Sequence, residues 1–459
     1  MRTNRLTVPL ALSLSIVLVS LAVGAPAPAS AHGGGGLTLV SAATDGSPGN
    51  YDSFTPSISA DGRYVAFSSN ATNLVASDAN GATRDIFVRD LQTGTTVLVS
   101  IASDGTQGDN ASYNPSISAD GRYVAFESTA TNLISGGTGD NYEIYVHDRD
   151  ADEDGTFDET EPGGVETTRV SVDSAGNPGT GHSFSPSISG DGQYVAFASN
   201  ATNLTTGDAN GARDIFVHDR QTGVTTCVSV HTDGTLGNDD SYNPSISDDG
   251  YHVAFYSEAS NLVGGDSNGV DDVFVHDRWA SGATVRVSVD SGGDQADGHS
   301  YYPTISPDGR YVAFSSAATD LVSGDTNGVA DVFLHDRDPD DDDVFDEAGE
   351  IETTRVSIPN CGGQADGDLI ERQPALSSDG RYVAFHTTAA NLIPGDSGLD
   401  ADAFIRDRTL GRTTFVSVVP GVEGVGGGCY VDMSDDGRYV AFPTGSCITG
   451  GQIYVRHRA

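Results

Sequence analysis

Two acidic stretches carry the sharpest chemical signal in this sequence. In "DRDADEDGTFDETEPGG", Asp150, Asp152, Asp154, Thr156, Asp158 and Glu161 fall on the pattern D-x-[DN]-x-[DN]-G-x5-E, with Gly155 at the turn and Phe157 at the apolar position. A hard cation such as calcium takes oxygen ligands in a flexible cage, and alternate residues of a tight loop aim theirs at one point. On this spacing Asp150, Asp152 and Asp154 each give one carboxylate oxygen, Thr156 its carbonyl, Asp158 a contact through water and Glu161 both oxygens. The competing reading is a solvated acidic turn. The second stretch, "DRDPDDDDVFDEAGE", offers Asp338, Asp340, Asp342 and Asp346, but Asp343 stands in the glycine position and Glu350 falls one residue late.

Other motifs are more ambiguous. D-x-N-G recurs at Asp78 and Asn80, Asp208 and Asn210, Asp266 and Asn268, and Asp325 and Asn327, each followed by a further Asp. Such a loop suits either a cation or a plain turn, since Asp and Asn-Gly are strong turn formers. The strings "GDSNG" (265–269) and "GDSG" (395–398) imitate serine-hydrolase signatures, but sister loops carry Ala209 and Thr326 where the first has Ser267, so no nucleophile is assigned. His147, His218, His276 and His335 share one strand position with Arg89, Arg406 and Arg456, which reads as a repeated ion pair or hydrogen bond. Phe54, Tyr113, Phe184, Tyr242 and Tyr301 each stand two residues before a proline, a collar that either stacks sugars or caps a core; Glu371 and Arg372 interrupt the pattern. Were the chain an enzyme, His182, His299, Tyr301, Glu371 and Arg372 would be the acid/base candidates of a polysaccharide lyase or hydrolase.

Composition narrows the partners. The formal charge is -42, and removal of Arg2 and Arg5 with an N-terminal segment takes it to -44. Such a polyanion repels nucleic acid and anionic membranes and favours cations. There is no lysine among the 23 basic residues, which excludes Schiff-base, Walker-type and Ser-Lys chemistry. Arg2 and Arg5, the apolar run from Leu6 to Val23 and Ala29-Ser30-Ala31 read as a cleaved secretory signal over 1–31, followed by a Gly-rich leader at 32–36. The mature chain is then expected outside the cell or in its envelope, with no membrane span after cleavage, as a monomer. In that oxidising compartment Cys429 and Cys447 are candidates for a disulfide, while Cys227 and Cys361 stay free or form a second bridge.

These residues must be positioned by a repeated unit. "PSISADGRYVAF" at 56–67 returns in seven versions, its Asp-Gly spaced by 59, 71, 58, 59, 71 and 57 residues. Each unit splits into four short β-rich runs bounded by turn formers, and no helical period follows the first segment. Small residues in the first run and continuous apolar character in the next two suit four-stranded antiparallel sheets stacked face to face about an axis. The fold class is therefore an all-β, seven-bladed β-propeller over 37–459, with blades starting near 56, 115, 186, 244, 303, 374 and 431. "LTLVSAATDG" near the start matches a fourth strand and "QIYVRHR" at the end a third, so a closing strand at about 37–43 completes the last blade. The 71-residue spacings place both acidic stretches between third and fourth strands, on the face opposite the D-x-N-G loops.

The unit "PTISPDGRYVAF … DVFLHDR … TTRVSI" resembles the WD-like repeat of TolB-type β-propellers, and the resemblance covers essentially the whole mature chain. It implies the fold and a binding role more than a chemistry. The 150–161 loop likewise resembles an EF-hand-type calcium loop without its helices. The leading expectation is a secreted, calcium-stabilised, non-catalytic scaffold that binds a protein or glycan through the D-x-N-G face. The alternative is an extracellular carbohydrate-active enzyme working at the axial mouth.

Overall fold

The computed structural model describes residues 36–137, 141–159, 161–279, 282–369, 373–394, 396, 401–417, 430–445 and 451–458. Its strands form seven four-stranded antiparallel sheets, the blades of a β-propeller. Blade 1 comprises an inner strand Ser53–Ile58, a second Tyr64–Ser69, a third Asp85–Asp90 and an outer Thr95–Leu98. Blade 7 joins Asp432–Met433, Tyr439–Pro443 and Ile453–His457 to Leu37–Leu39, which pairs Leu37 with Arg456 and Leu39 with Tyr454. The two ends of the chain thus close the ring. No helix among the described residues is long and apolar enough to cross a membrane. The expected signal at 1–31, the Cys429–Cys447 pair and the Glu371/Arg372 pair lie outside the described residues.

Stacking explains the sequence pattern. Val-Ala-Phe of each second strand is covered on both faces, and every apolar cluster joins two neighbouring blades: Tyr64, Ala66, Ile86 and Val88 of blade 1 pack against Val124, Phe126 and Tyr145 of blade 2. Phe67 stacks on Phe87 within its blade at 5.8 Å between ring centres, a pairing repeated around the ring. Each such buried ring contributes roughly 1.5–3 kcal/mol.

The recurring Asp-Gly turn is an inter-blade joint. Gly121, at φ 79, lies under the Tyr64 ring of the preceding blade, where an added Cβ would come within 2.3 Å of that ring. Only glycine combines this left-handed backbone with such an approach. Beside the turns, the Ala60 N–H donates to the Ala119 carbonyl, Ala119 to Gly190, Gly190 to Asp248 and Asp248 to Pro307, while Ser378 donates to Asp435 and Asp435 back to Ala60. Pro307 lacks the N–H that would continue this ring of backbone bonds.

Candidate functional site

Both acidic inserts fold the same way. Asp150 is buried; its carboxylate accepts the Asp154 N–H at 3.1 Å and the Gly155 N–H at 3.1 Å. Asp338 takes the Asp342 and Asp343 N–H groups in the same manner, each at 3.1 Å. Asp343 adopts φ 66 where Gly155 has φ 87, so the missing glycine that weakens the second motif on paper does not alter the loop. A Cβ at Gly155 would meet open space, which is why an aspartate fits there.

The geometry brings part of each ligand set together. Oxygens of Asp150, Asp152 and Asp154 lie within 4.8 Å of one another, as do those of Asp338, Asp340 and Asp342. Ligands about 2.4 Å from one shared calcium would have such spacings. Asp158 and Asp346 are engaged differently: Arg149 holds both oxygens of Asp158 at 2.8 and 2.5 Å, and Arg337 pairs with Asp346 through Nε at 3.0 Å and Nη2 at 2.5 Å. These arginines also donate at 2.7 Å to the Gly121 and Gly309 carbonyls, tying each insert to an Asp-Gly joint. The Thr156 N–H donates to Asp154 Oδ1 at 2.8 Å. Glu159 and Glu347, which the motif does not include, feel the charge of the acids: loss of hydration and then Asp154 raise the Glu159 carboxyl, and Asp342 chiefly raises that of Glu347.

On the opposite face the D-x-N-G side chains turn inward. Asn80 donates to the Gly108 carbonyl, Asn210 to Gly237, Asn268 to Ala296 and Asn327 to Ala365, at 2.9, 3.0, 3.0 and 3.2 Å. They latch each loop to the connection leading into the next blade. Asp266 and Asp325 approach the first acid of the third strand, Asp272 and Asp331, through a shared arginine.

At the axial mouth the collar is braced from within. The Arg84 guanidinium lies 3.8 Å from the Phe54 ring and 5.1 Å from Tyr113, and Arg213 lies 5.0 Å from Phe184 and 4.8 Å from Tyr242. Tyr142 fills the interval between Tyr113 and Phe184, and Tyr256 that between Tyr242 and Tyr301. His182 Nδ1 accepts the Tyr142 N–H at 3.1 Å, while His299 pairs with Asp271 at 2.7 Å and stacks on Tyr301. His182 leads into blade 3 and is held by Tyr142 of blade 2, and His299 leads into blade 5 and is held by Asp271 of blade 4.

Inside, an axial channel of about 250 Å3 is lined by Ser57, Ser116, Ser187, Ser245, Thr304 and Asp432, among others. The serines accept the Ile N–H of the next blade, Ser57 from Ile117 at 3.2 Å, and Asp432 does so from Ile58 at 2.8 Å. Burial pushes Asp432 up to about 6. Glu127, pushed by burial to about 7, accepts from Asn114 and from the Ser185 N–H across the blade 2–3 boundary, both at 3.0 Å. Sequence reasoning passed over both acids, whose signal is a departure from the serine of blade 1 at the same position: Ser57 for Asp432 and Ser68 for Glu127.

The repeated histidines are structural. His147 Nδ1 contacts Thr167 Oγ1 at 2.8 Å, and that hydroxyl donates at 2.6 Å to the Ile101 carbonyl of the preceding blade, so Nδ1 carries the proton. Burial holds His147, His218, His276 and His335 down at about 4. Cys227 and Cys361 are both free.

These features define the class: a seven-bladed β-propeller with paired acidic hairpin inserts. No family model matches the chain, and no curated protein matches it. Solved structures do. An oligogalacturonate lyase in complex with manganese is 13% identical, with 92% of this chain and 93% of that one covered and a TM-score of 0.51. The β-propeller domain of the Trilobed protease from Pyrococcus furiosus is 10% identical, with 89% and 95% covered and a TM-score of 0.51. TolB from Acinetobacter baumannii is 15% identical with a TM-score of 0.40; 86% of this chain aligns to it, spanning 64% of its length. Likeness at these identities extends to the fold alone, a β-propeller.

Proposed function

We propose that this chain is a secreted, calcium-stabilised propeller that serves as a non-catalytic scaffold, binding a protein or glycan ligand through the face that carries the D-x-N-G loops. The observation that supports it most is the duplicate hairpin: two inserts that differ at the glycine and the terminal glutamate converge on the same three-carboxylate arrangement. Asp150, Asp152 and Asp154, with Thr156 and Glu161 from the motif and Glu159 from its position, would hold the ion in the first loop; Asp338, Asp340, Asp342 and Glu347 would hold it in the second. Asp158 and Asp346 would act through the arginines that anchor the loops. Calcium would offset the mutual repulsion of acids that the hairpin forces together. The braced collar, with arginine or tyrosine already between its rings, favours a capping role over sugar stacking.

Thermal unfolding of the purified protein in EDTA, and again with added calcium, tests this. The midpoint is expected to rise with calcium concentration as RT ln(1 + [L]/Kd) requires. In Asp152→Ala/Asp154→Ala combined with Asp340→Ala/Asp342→Ala the rise should be largely lost. An equal rise in that variant would remove the inserts as the sites.

A further inference from the structure

Four blades place a D-x-N-G aspartate beside the first acid of the third strand, and three of them insert a nitrogen donor between the two. In blade 1 the Gln107 amide donates to Asp78 at 3.1 Å and to Asp85 at 2.9 Å. In blade 4 the Arg286 guanidinium lies 3.4 Å from Asp266 and 3.1 Å from Asp272; in blade 5 Arg355 lies 3.1 Å from Asp325 and 3.3 Å from Asp331. Blade 3 has the acids, Asp208 and Asp214, without the donor. Cys227 occupies the arginine position of the outer strand, opposite Phe216 as Arg286 is opposite Phe274, and Leu236 occupies the glutamine position.

The consequence is visible in the side chains. Asp214 is fully buried and keeps the Ser229 hydroxyl at 2.6 Å and the Asn210 amide at 2.8 Å, as Asp272 keeps Ser288 and Asn268. Asp208 Oδ1 is buried and has no hydrogen-bond partner; Asp325 Oδ1 of blade 5 likewise accepts no hydrogen bond, but the Arg355 guanidinium stands 3.1 Å from it, whereas Asp208 is in no such ion pair. A buried carboxylate oxygen with no donor is costly, so such a group is normally matched by a partner. Outside, a groove of about 620 Å3, lined by Asp173, Ser174, Asn203, Thr206 and Thr225 among others, reaches Cys227, the residue at the arginine position; Asp208 and Asp214 are not in its lining.

We propose that the blade 3 slot is a receptor for a guanidinium group, the arginine side chain of a partner protein taking the place that Arg286 and Arg355 fill in the sister blades. A planar guanidinium offers several N–H donors to a carboxylate pair and is more weakly hydrated than an ammonium, which suits a half-covered slot. The strongly negative chain draws such a group in. This deepens the scaffold reading, on which it rests, by naming the chemistry of the partner at one loop.

The test is titration calorimetry of the full chain with the blocked peptide acetyl-Gly-Arg-Gly-amide and with its citrulline twin, which is neutral and nearly isosteric. The wild type should bind the arginine peptide saturably and the citrulline peptide not at all. Asp208→Asn should weaken binding about tenfold or more. Cys227→Arg, which copies blades 4 and 5, should fill the slot from within and abolish binding while its thermal midpoint is kept or raised; Cys227→Ser, which leaves the slot open, should bind like wild type. Equal binding of the two peptides, or undiminished binding by Cys227→Arg, overturns the proposal. So does a calcium response at this slot, lost in Cys227→Arg and unaccompanied by peptide binding, since it would assign the slot to a metal cation. Each of these failures leaves the calcium response of the hairpin variants, and with it the scaffold reading, standing on its own measurement.

Discussion

Replacing Gly121 by alanine should destabilise the protein through two separable effects. Alanine at φ 79 is forced into the left-handed region, which costs about 1–2 kcal/mol. The new Cβ also meets the Tyr64 ring, with Cδ2 at 2.3 Å and Cγ at 2.7 Å, and a buried ring has little room to retreat; overpacking of this kind adds about 1–3 kcal/mol. The sum is about 2–5 kcal/mol. Gly176, at φ 84 with nothing within 4 Å of its Cβ position, isolates the first effect, so Gly176→Ala should lose only about 1–2 kcal/mol. Urea unfolding followed by circular dichroism measures both. A cycle with Tyr64→Ala completes the test: removing the ring abolishes the clash, so the double variant should be more stable than the sum of its parts predicts, by about 1–3 kcal/mol. Equal losses at Gly121 and Gly176, or additivity in the cycle, would refute the joint. The Arg149 guanidinium and the Phe157 ring also rest on Tyr64, at 4.9 and 5.5 Å, so Gly121→Ala should blunt the calcium response. Gly192→Ala, which meets Tyr123 at 2.1 Å in a blade without an insert, should not.

Acid should weaken the fold through the four buried histidines. Their folded values of about 4 lie below the unfolded value near 6.5, so their stability is fully present above about 6.5 and is lost as pH falls towards 4, by roughly 3 kcal/mol each at most; His147→Gln/His335→Gln should flatten that slope in urea midpoints. Glu127 acts in the opposite sense: raised to about 7, it contributes stability present at low pH and lost as pH rises through 7, and carbon NMR of its carboxyl should show a titration near 7 instead of the usual range near 4.3. Arg149→Ala should cost about 2–4 kcal/mol in thermal or urea unfolding, because it strands Asp158 and frees the Gly121 carbonyl, and Asp158→Asn in the same background should recover part of the loss.

The ring was legible in the sequence because its cause is local and repeated. Asp-Gly demands a tight turn, Val-Ala-Phe demands cover on both faces, and seven occurrences leave little else to build. The hairpin acids were legible for a related reason, since Asp150, Asp152 and Asp154 meet through a turn that their own spacing dictates. What lay two or more strands away was not. The motif assigns the last ligand to Glu161 because it comes from loops that run into a helix; here the loop returns into a hairpin, and Glu159 feels the field of the acids. The Arg149 anchor of Asp158 depends on the Gly121 turn, which the chain reaches 28 residues earlier.

Blade 3 marks where such reading stops. Nothing in the local string "TTGDANGARD" distinguishes Asp208 from Asp266, and both obey the same turn chemistry. The difference lies in Cys227 and Leu236, which reach the slot from the outer strand and from the connection beyond it, and each is an unremarkable residue in its own segment. Only the stacking of a blade converts those two changes into one event, the loss of the donor between the buried Asp214 and the half-buried Asp208. A repeat protein keeps its core columns because every blade needs them, so its recognition chemistry is carried by columns that one blade alone abandons. By that criterion the outer edge of blade 3 and the channel acid Asp432 are more informative than the motifs that recur.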